Sequence, residues 1–128
     1  MRKILDDLIR KAKENYKHIG NVVCPAFNNE KILFNQKGFR HFIMKGGKYR
    51  THGQQIRRLS LIPKIISVIS TSSKIHSYRN DFGIEFWSLS KIIDNILIVV
   101  VIRQSSKNQS KYFLSVMDKK LSKNAKTP

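Results

Sequence analysis

The stretch from Phe82 to Met117 decides the fold, because it holds three apolar runs separated by turn residues. The runs read FGIEFWSL (82–89), ILIVVVIR (96–103) and KYFLSVM (111–117). They are rich in β-branched and aromatic residues, while Asp94-Asn95 and Ser105–Ser110 supply polar turns between them. The pattern predicts an antiparallel meander of three strands. The middle run shows no polar alternation, so we expect a central strand that is buried on both faces.

The chain ahead of this meander is mostly helical in its periodicity. Residues 2–18 and Gln54–Ser70 repeat apolar side chains at helical spacing, and Pro63 should divide the second region into two helices. Gln36–Lys45 can form one or two further helical turns that end at Gly46-Gly47. The Ser-rich stretch Thr71–Asp81 is expected to be a loop.

Two short runs complete the predicted layout. Lys31–Asn35 reads as a strand, and Val22–Phe27 is at best an edge strand because it contains Pro25. The fold class is therefore α+β, with N-terminal helices packed on a C-terminal antiparallel β-sheet made of a three-strand meander and a possible edge strand. We expect residues 1–117 to form a single compact domain, followed by a basic, disordered tail over 118–128.

Charge is the strongest sign of a partner. The 128 residues include 25 Lys+Arg against 8 Asp+Glu, which gives a net charge of +17. Between Lys31 and Asn80 there is no acidic residue at all. An imbalance of this size destabilises a small chain through self-repulsion, so it indicates a polyanionic partner. RNA or DNA is the leading candidate, and an anionic membrane surface is a weaker one because Asp6, Asp7 and Glu14 interrupt the basic face of the first helix.

The apolar runs, the single cysteine and the spread of acidic residues bear on location and cofactors. The longest apolar run, Ile96–Ile102, is too short to span a bilayer, and the first twenty residues do not resemble a secretory signal. The single cysteine, Cys24, fits a reducing compartment, so we expect a cytoplasmic protein. The eight scattered carboxylates argue against a two-metal nuclease, and no histidine spacing matches a zinc site, so we expect neither a metal nor a cofactor.

Metal-free RNA cleavage needs only residues that this chain has in abundance. RNA brings its own nucleophile, the 2′-hydroxyl, so the protein must supply acid–base groups and positive charge for the phosphorane. The alternative is a non-catalytic basic module that binds RNA or DNA, which explains the charge equally well.

Four segments resemble a known group of ribonucleases. GFRHFIMK (38–45), KYRTHGQQIRRL (48–59), HSYRN (76–80) and KYFLSV (111–116), together with the order of helices and meander, are similar to the barnase/EndoU/colicin/RelE-like (BECR) fold. The similarity is greatest to the toxins of its phage- and mobile-element-associated branch. It implies a metal-independent endoribonuclease that is the toxin of a toxin–antitoxin or phage-related system, with RNA as substrate and an acidic antitoxin or inhibitor protein as partner.

The resemblance also implies roles for individual residues. His41 would be the general acid or base, Arg57 and Arg79 would bind the phosphate, and Ser115 would lie on the last strand of the active site. The remaining candidates are expected to bind RNA, and they are Lys48, Arg50, His52, Arg58, His76 and Tyr112. Tyr112 and Ser115 are three residues apart on a strand, so they point to opposite faces unless a bulge intervenes. Ser115 is the preferred candidate. Each of these residues also has a simpler interpretation as a solvated or core side chain.

Overall fold

A computed structural model describes residues 2–121 of the chain. In chain order the elements are α1 (Arg2–Ile19), β1 (Asn21–Cys24), a 3-10 turn (Pro25–Phe27), β2 (Glu30–Leu33), α2 (Gln36–Ile43), β3 (Met44–Lys45), β4 (Lys48–Tyr49), α3 (His52–Leu59), α4 (Ile62–Thr71), β5 (Ser77–Asp81), β6 (Ile84–Ile93), β7 (Ile96–Gln104) and β8 (Tyr112–Lys120). The predicted α+β fold class is confirmed, and so is the division of the second helical region near Pro63.

Six strands form one sheet in the order β1-β2-β8-β7-β6-β5, while β3 and β4 make a separate small hairpin. All neighbours in the large sheet are antiparallel except β2 and β8, which are parallel. The predicted meander is β6-β7-β8, and the predicted edge strand is β1. Asp94 and Asn95 both have positive φ, at 53° and 63°. This conformation is that of a tight hairpin turn, and it fixes the pairing of Ile93 with Ile96.

The segment that was expected to be a loop contains a fourth meander strand. Ser77–Asp81 form β5, which pairs antiparallel with β6 from Ser77↔Ser88 to Asp81↔Ile84. The prediction was wrong because β5 is an edge strand whose side chains are almost all exposed, so it carries no apolar alternation. Phe82, expected to begin a strand, lies instead in the turn between β5 and β6 and is fully exposed.

The middle strand, β7, is buried on one face only, so the prediction that it is buried on both faces was wrong. Ile98, Val100 and Ile102 are fully buried beneath the helices. Val99, Val101 and Arg103 alternate with them and are only half-buried. The helices therefore cover one face of the meander, called here the inner face, and leave the other, the outer face, accessible.

Two details of β8 matter for the site. The strand continues to Lys120, so the basic tail cannot begin at 118 as predicted; residues 122–128 lie outside the described residues. The pairing with β7 also shifts between Val101 and Ile102, because Val101 pairs with Ser115 whereas Ile102 pairs with Phe113. Leu114 is thus the extra residue of a β-bulge. Val101 and Arg103 share a face of β7, so their partners Ser115 and Tyr112 lie on the same outer face.

Candidate functional site

Helix α2 carries His41 and is fixed at both ends. Asn35 caps its first turn by accepting a hydrogen bond from the backbone N–H of Gly38, at 3.2 Å. Phe39 and Phe42 are buried in the core, and Phe42 stacks on Phe113 of β8 with ring centroids 5.6 Å apart. His41 lies between these two anchors in sequence, so helical geometry turns it outward in the last turn, where it is exposed.

Three arginines act on the His41 imidazole. The Nε of Arg50 donates a hydrogen bond to the His41 carbonyl oxygen at 3.0 Å, which ties the chain after the β3–β4 hairpin to the end of α2. Partial loss of solvent around the ring lowers the pKa of His41 below its usual value, and the positive charges of Arg50, Arg58 and Arg103 lower it further. A lowered pKa keeps the imidazole neutral near pH 7, in the form that can accept a proton. We call these four residues the basic cluster.

Two of the cluster guanidinium groups have buried donors without a partner. Arg58 donates from Nη2 to the carbonyl oxygen of Val116, but its Nε makes no hydrogen bond within the described part of the chain. The Nε of Arg103 is in the same situation. Buried N–H groups without an acceptor are costly, so an oxygen atom from water or from a ligand would stabilise them. A phosphate oxygen suits a guanidinium group best.

A row of alternating cations and rings crosses the outer face beside the cluster. Arg79, Phe86, Arg103 and Tyr112 are register partners on β5, β6, β7 and β8. The guanidinium carbon lies over the Phe86 ring at 4.6 Å for Arg79 and at 5.7 Å for Arg103. Arg103 is also 6.0 Å from the Tyr112 ring centroid, and Lys37 of α2 is 5.7 Å from it. Tyr112 is buried, and its hydroxyl has no partner among residues 2–121. Arg103 thus joins the basic cluster to the row.

A cavity of about 280 Å³ opens next to the row on the outer face. Its lining combines hydroxyl, aromatic, aliphatic and guanidinium groups, from Ser77, Arg79, Phe86, Trp87, Ser88, Val101, Leu114 and Ser115. Because Leu114 is an extra residue in β8, Ser115 lies on the same face of the sheet as Tyr112. The structure therefore brings two predicted catalytic residues, Arg79 and Ser115, to one cavity, which we call the sheet cavity.

Basic side chains also line a second cavity, of about 380 Å³, between α1, α2 and the β3–β4 hairpin. Lys13, Lys37 and Arg40 contribute the charge, and Phe39, Ile43 and Tyr49 contribute apolar surface. Tyr49 is exposed over 76% of its surface. Because Lys37 reaches both this cavity and the Tyr112 ring, positive charge continues from the outer face around α2.

The other predicted site residues have separate surroundings. Arg57 is held by Asp118 of β8, with Nη2 2.8 and 2.7 Å from the two carboxylate oxygens. Lys48 lies exposed on β4, and His76 is exposed just before β5. His52 begins α3, with Nε2 3.9 Å from the Asp6 carboxylate. Arg79 bonds Asp81 at 2.8 Å besides lining the sheet cavity.

Sequence reasoning missed Arg103, which belongs both to the basic cluster and to the row of cations and rings on the outer face. It ends the apolar run ILIVVVIR, and its place in the alternation could have revealed it, because Ile98, Val100 and Ile102 point inward and the next residue must point outward. The expectation that this strand was buried on both faces concealed that signal.

Comparison with known proteins adds no relative: no family model, curated protein or solved structure matches the chain. Within residues 2–121, no helix is both long and apolar enough to cross a membrane. The same residues contain no group of three or more His, Cys, Asp or Glu side chains that could hold a metal ion.

Proposed function

We propose that this chain is a metal-independent endoribonuclease that cleaves RNA through its own 2′-hydroxyl. The observation that carries the proposal is the basic cluster: partial burial and the charges of three arginines lower the pKa of His41, and two of those arginines have a buried Nε donor without a partner among residues 2–121. An accessible base beside unsatisfied guanidinium groups suits an anionic substrate that must lose a proton.

Each part of the reaction has a group that can perform it. The 2′-oxygen attacks phosphorus and its proton passes to the neutral His41 imidazole. Arg58 and Arg103 donate to the non-bridging oxygens, where negative charge grows in the phosphorane. The bond from phosphorus to the 5′-oxygen breaks, and that oxygen takes a proton from solvent. The products are a 2′,3′-cyclic phosphate and a 5′-hydroxyl end.

The wider role is part of the same proposal. A ribonuclease of this kind would act on RNA in the cytoplasm as a toxin, and its host would need an inhibitor. The net charge of +17 favours an acidic protein for that partner, because complementary charge speeds association and suppresses wrong partners.

Incubation with total RNA in EDTA tests the activity. We expect discrete fragments with cyclic phosphate ends from RNA and no cleavage of DNA of the same sequence, because DNA lacks the nucleophile. RNA that is retarded on a gel but stays intact would contradict the proposal and would favour the non-catalytic binding module.

A further inference from the structure

The sheet cavity differs chemically from the basic cluster beside it. In the cluster, the Nε donors of Arg58 and Arg103 lack acceptors within the described part of the chain. At the cavity, Arg79 already has the Asp81 carboxylate at 2.8 Å, so its charge is largely compensated and a phosphate next to it would meet a second anion. What Arg79 still offers is its flat guanidinium surface, placed 4.6 Å from the Phe86 ring centroid.

The remaining lining suits a flat heterocycle with polar edges. Ser77 and Ser88 share a hydrogen bond between their hydroxyl groups, and each hydroxyl can both donate and accept. Val101 and Leu114 supply apolar surface. The volume of about 280 Å³ is just below the range of pockets for drug-sized ligands, so it suits a ligand of one small ring system.

The geometry points to a nucleobase subsite in the sheet cavity, where one base of single-stranded RNA stacks on the face of the Arg79 guanidinium that points away from Phe86, while its edge meets the hydroxyls of Ser77 and Ser88. This inference rests on the proposed function, since it names the substrate feature that the same site holds. Arg103 connects the two parts: it belongs to the basic cluster, and its guanidinium carbon lies 5.7 Å from the Phe86 ring centroid. A phosphate on Arg103 therefore brings a neighbouring base to the sheet cavity.

Unpaired bases are the appropriate occupants, because recognition of RNA by stacking on aromatic rings and guanidinium planes requires bases that have left a helix. The subsite should thus make the protein prefer single strands over duplexes. It should also create a preference among the four bases, since the paired hydroxyls present a fixed edge.

The test measures binding of fluorescein-labelled 2′-O-methyl RNA homopolymers, which carry bases and phosphates but have no free 2′-hydroxyl. Phe86→Leu removes the ring that holds the Arg79 guanidinium plane in place and should weaken binding by about 5- to 100-fold, as expected for a lost base stack. Ser77→Val alters the cavity edge at an exposed position and should change the ranking of the four homopolymers. Ser90→Val is the control, because Ser90 lies on the outer face of β6, the strand of Phe86 and Ser88, but does not line the cavity.

Inorganic polyphosphate is the second probe, since it has charge but no bases. Its ability to compete should be the same for the wild type and Phe86→Leu. Equal losses for RNA and polyphosphate, or an unchanged RNA affinity in both cavity variants, would overturn the subsite. If the wild type binds neither probe, the subsite and the proposed function both fail; if it binds RNA with base preference but does not cleave, only the proposed cleavage fails.

Discussion

Gly38→Ala should destabilise the protein more than a one-carbon change normally does. Gly38 lies in α2 directly against β8, and a Cβ built there would be 2.3 Å from the Phe113 carbonyl oxygen and 2.7 Å from the Tyr16 hydroxyl. The carbonyl belongs to the backbone of the bulged strand and cannot rotate away. The whole of α2 would have to move by about 1 Å, and strain of this kind costs about 1–3 kcal/mol.

A control in the next helix separates this contact from the general effect of alanine. A Cβ on Gly53 in α3 meets nothing within 4 Å, so Gly53→Ala should stabilise the protein by about 0.4–1 kcal/mol. Since about 1 kcal/mol shifts the melting temperature of a chain of this size by roughly 4 °C, Gly38→Ala should melt about 4–12 °C lower than the wild type and Gly53→Ala a few degrees higher.

The same substitution should affect catalysis, because α2 carries His41. A displacement of about 1 Å can reduce a rate about 100-fold. Circular dichroism monitors the thermal unfolding of each variant. RNA cleavage is then measured at a temperature where every variant is folded. A melting temperature for Gly38→Ala equal to or above that of the wild type would refute the described packing of α2 on β8.

Three further predictions follow from burial and charge. Val100→Asp places an unpaired carboxylate at a fully buried position and should cost more than about 4 kcal/mol in urea unfolding; an unchanged midpoint would disprove the sheet assignment. Because the pKa of His41 is lower in the folded protein, the His41 side chain takes up a proton at higher pH in the unfolded chain than in the folded one. The free energy of unfolding should therefore fall as the pH drops below 6.5, and His41→Gln should lessen that fall. Arg103→Gln removes a charge that lowers this pKa, so the acidic limb of the cleavage profile should move to higher pH and RNA affinity should drop. Arg10→Gln on α1 is the matched charge control, and equal behaviour of the two variants would remove Arg103 from the site.

The sequence predicts the buried parts of this fold well. The helices and the meander carry strong periodicities because one face of each is apolar, and the turn at Asp94-Asn95 uses residues that tolerate positive φ. Strand β5 escaped prediction because an exposed edge strand has no such pattern. The position of β5 is determined by its backbone hydrogen bonds to β6. The composition of β5 alone does not predict that pairing.

The candidate site was predictable in part. His41 could be singled out as a histidine on a short amphipathic helix whose apolar residues are Phe39, Phe42 and Ile43. The placement of Tyr112 and Ser115 on one face could not, since it depends on the bulge at Leu114, which only the pairing with β7 reveals. The choice among arginines depends on partners distant in sequence, such as Asp118, which lies 61 residues after Arg57.

Single-turnover cleavage of one RNA oligonucleotide in EDTA, by the wild type and by His41→Gln, tests the central claim most directly. General acid–base assistance contributes about 10²–10⁴-fold, so His41→Gln should slow cleavage by that factor. RNA affinity should stay nearly constant, because a neutral imidazole adds little to a surface of charge +17. His18→Gln, at an exposed position near the end of α1, should cleave at the wild-type rate. A folded His41→Gln variant that cleaves as fast as the wild type, or a wild type that leaves the RNA intact, would contradict the account.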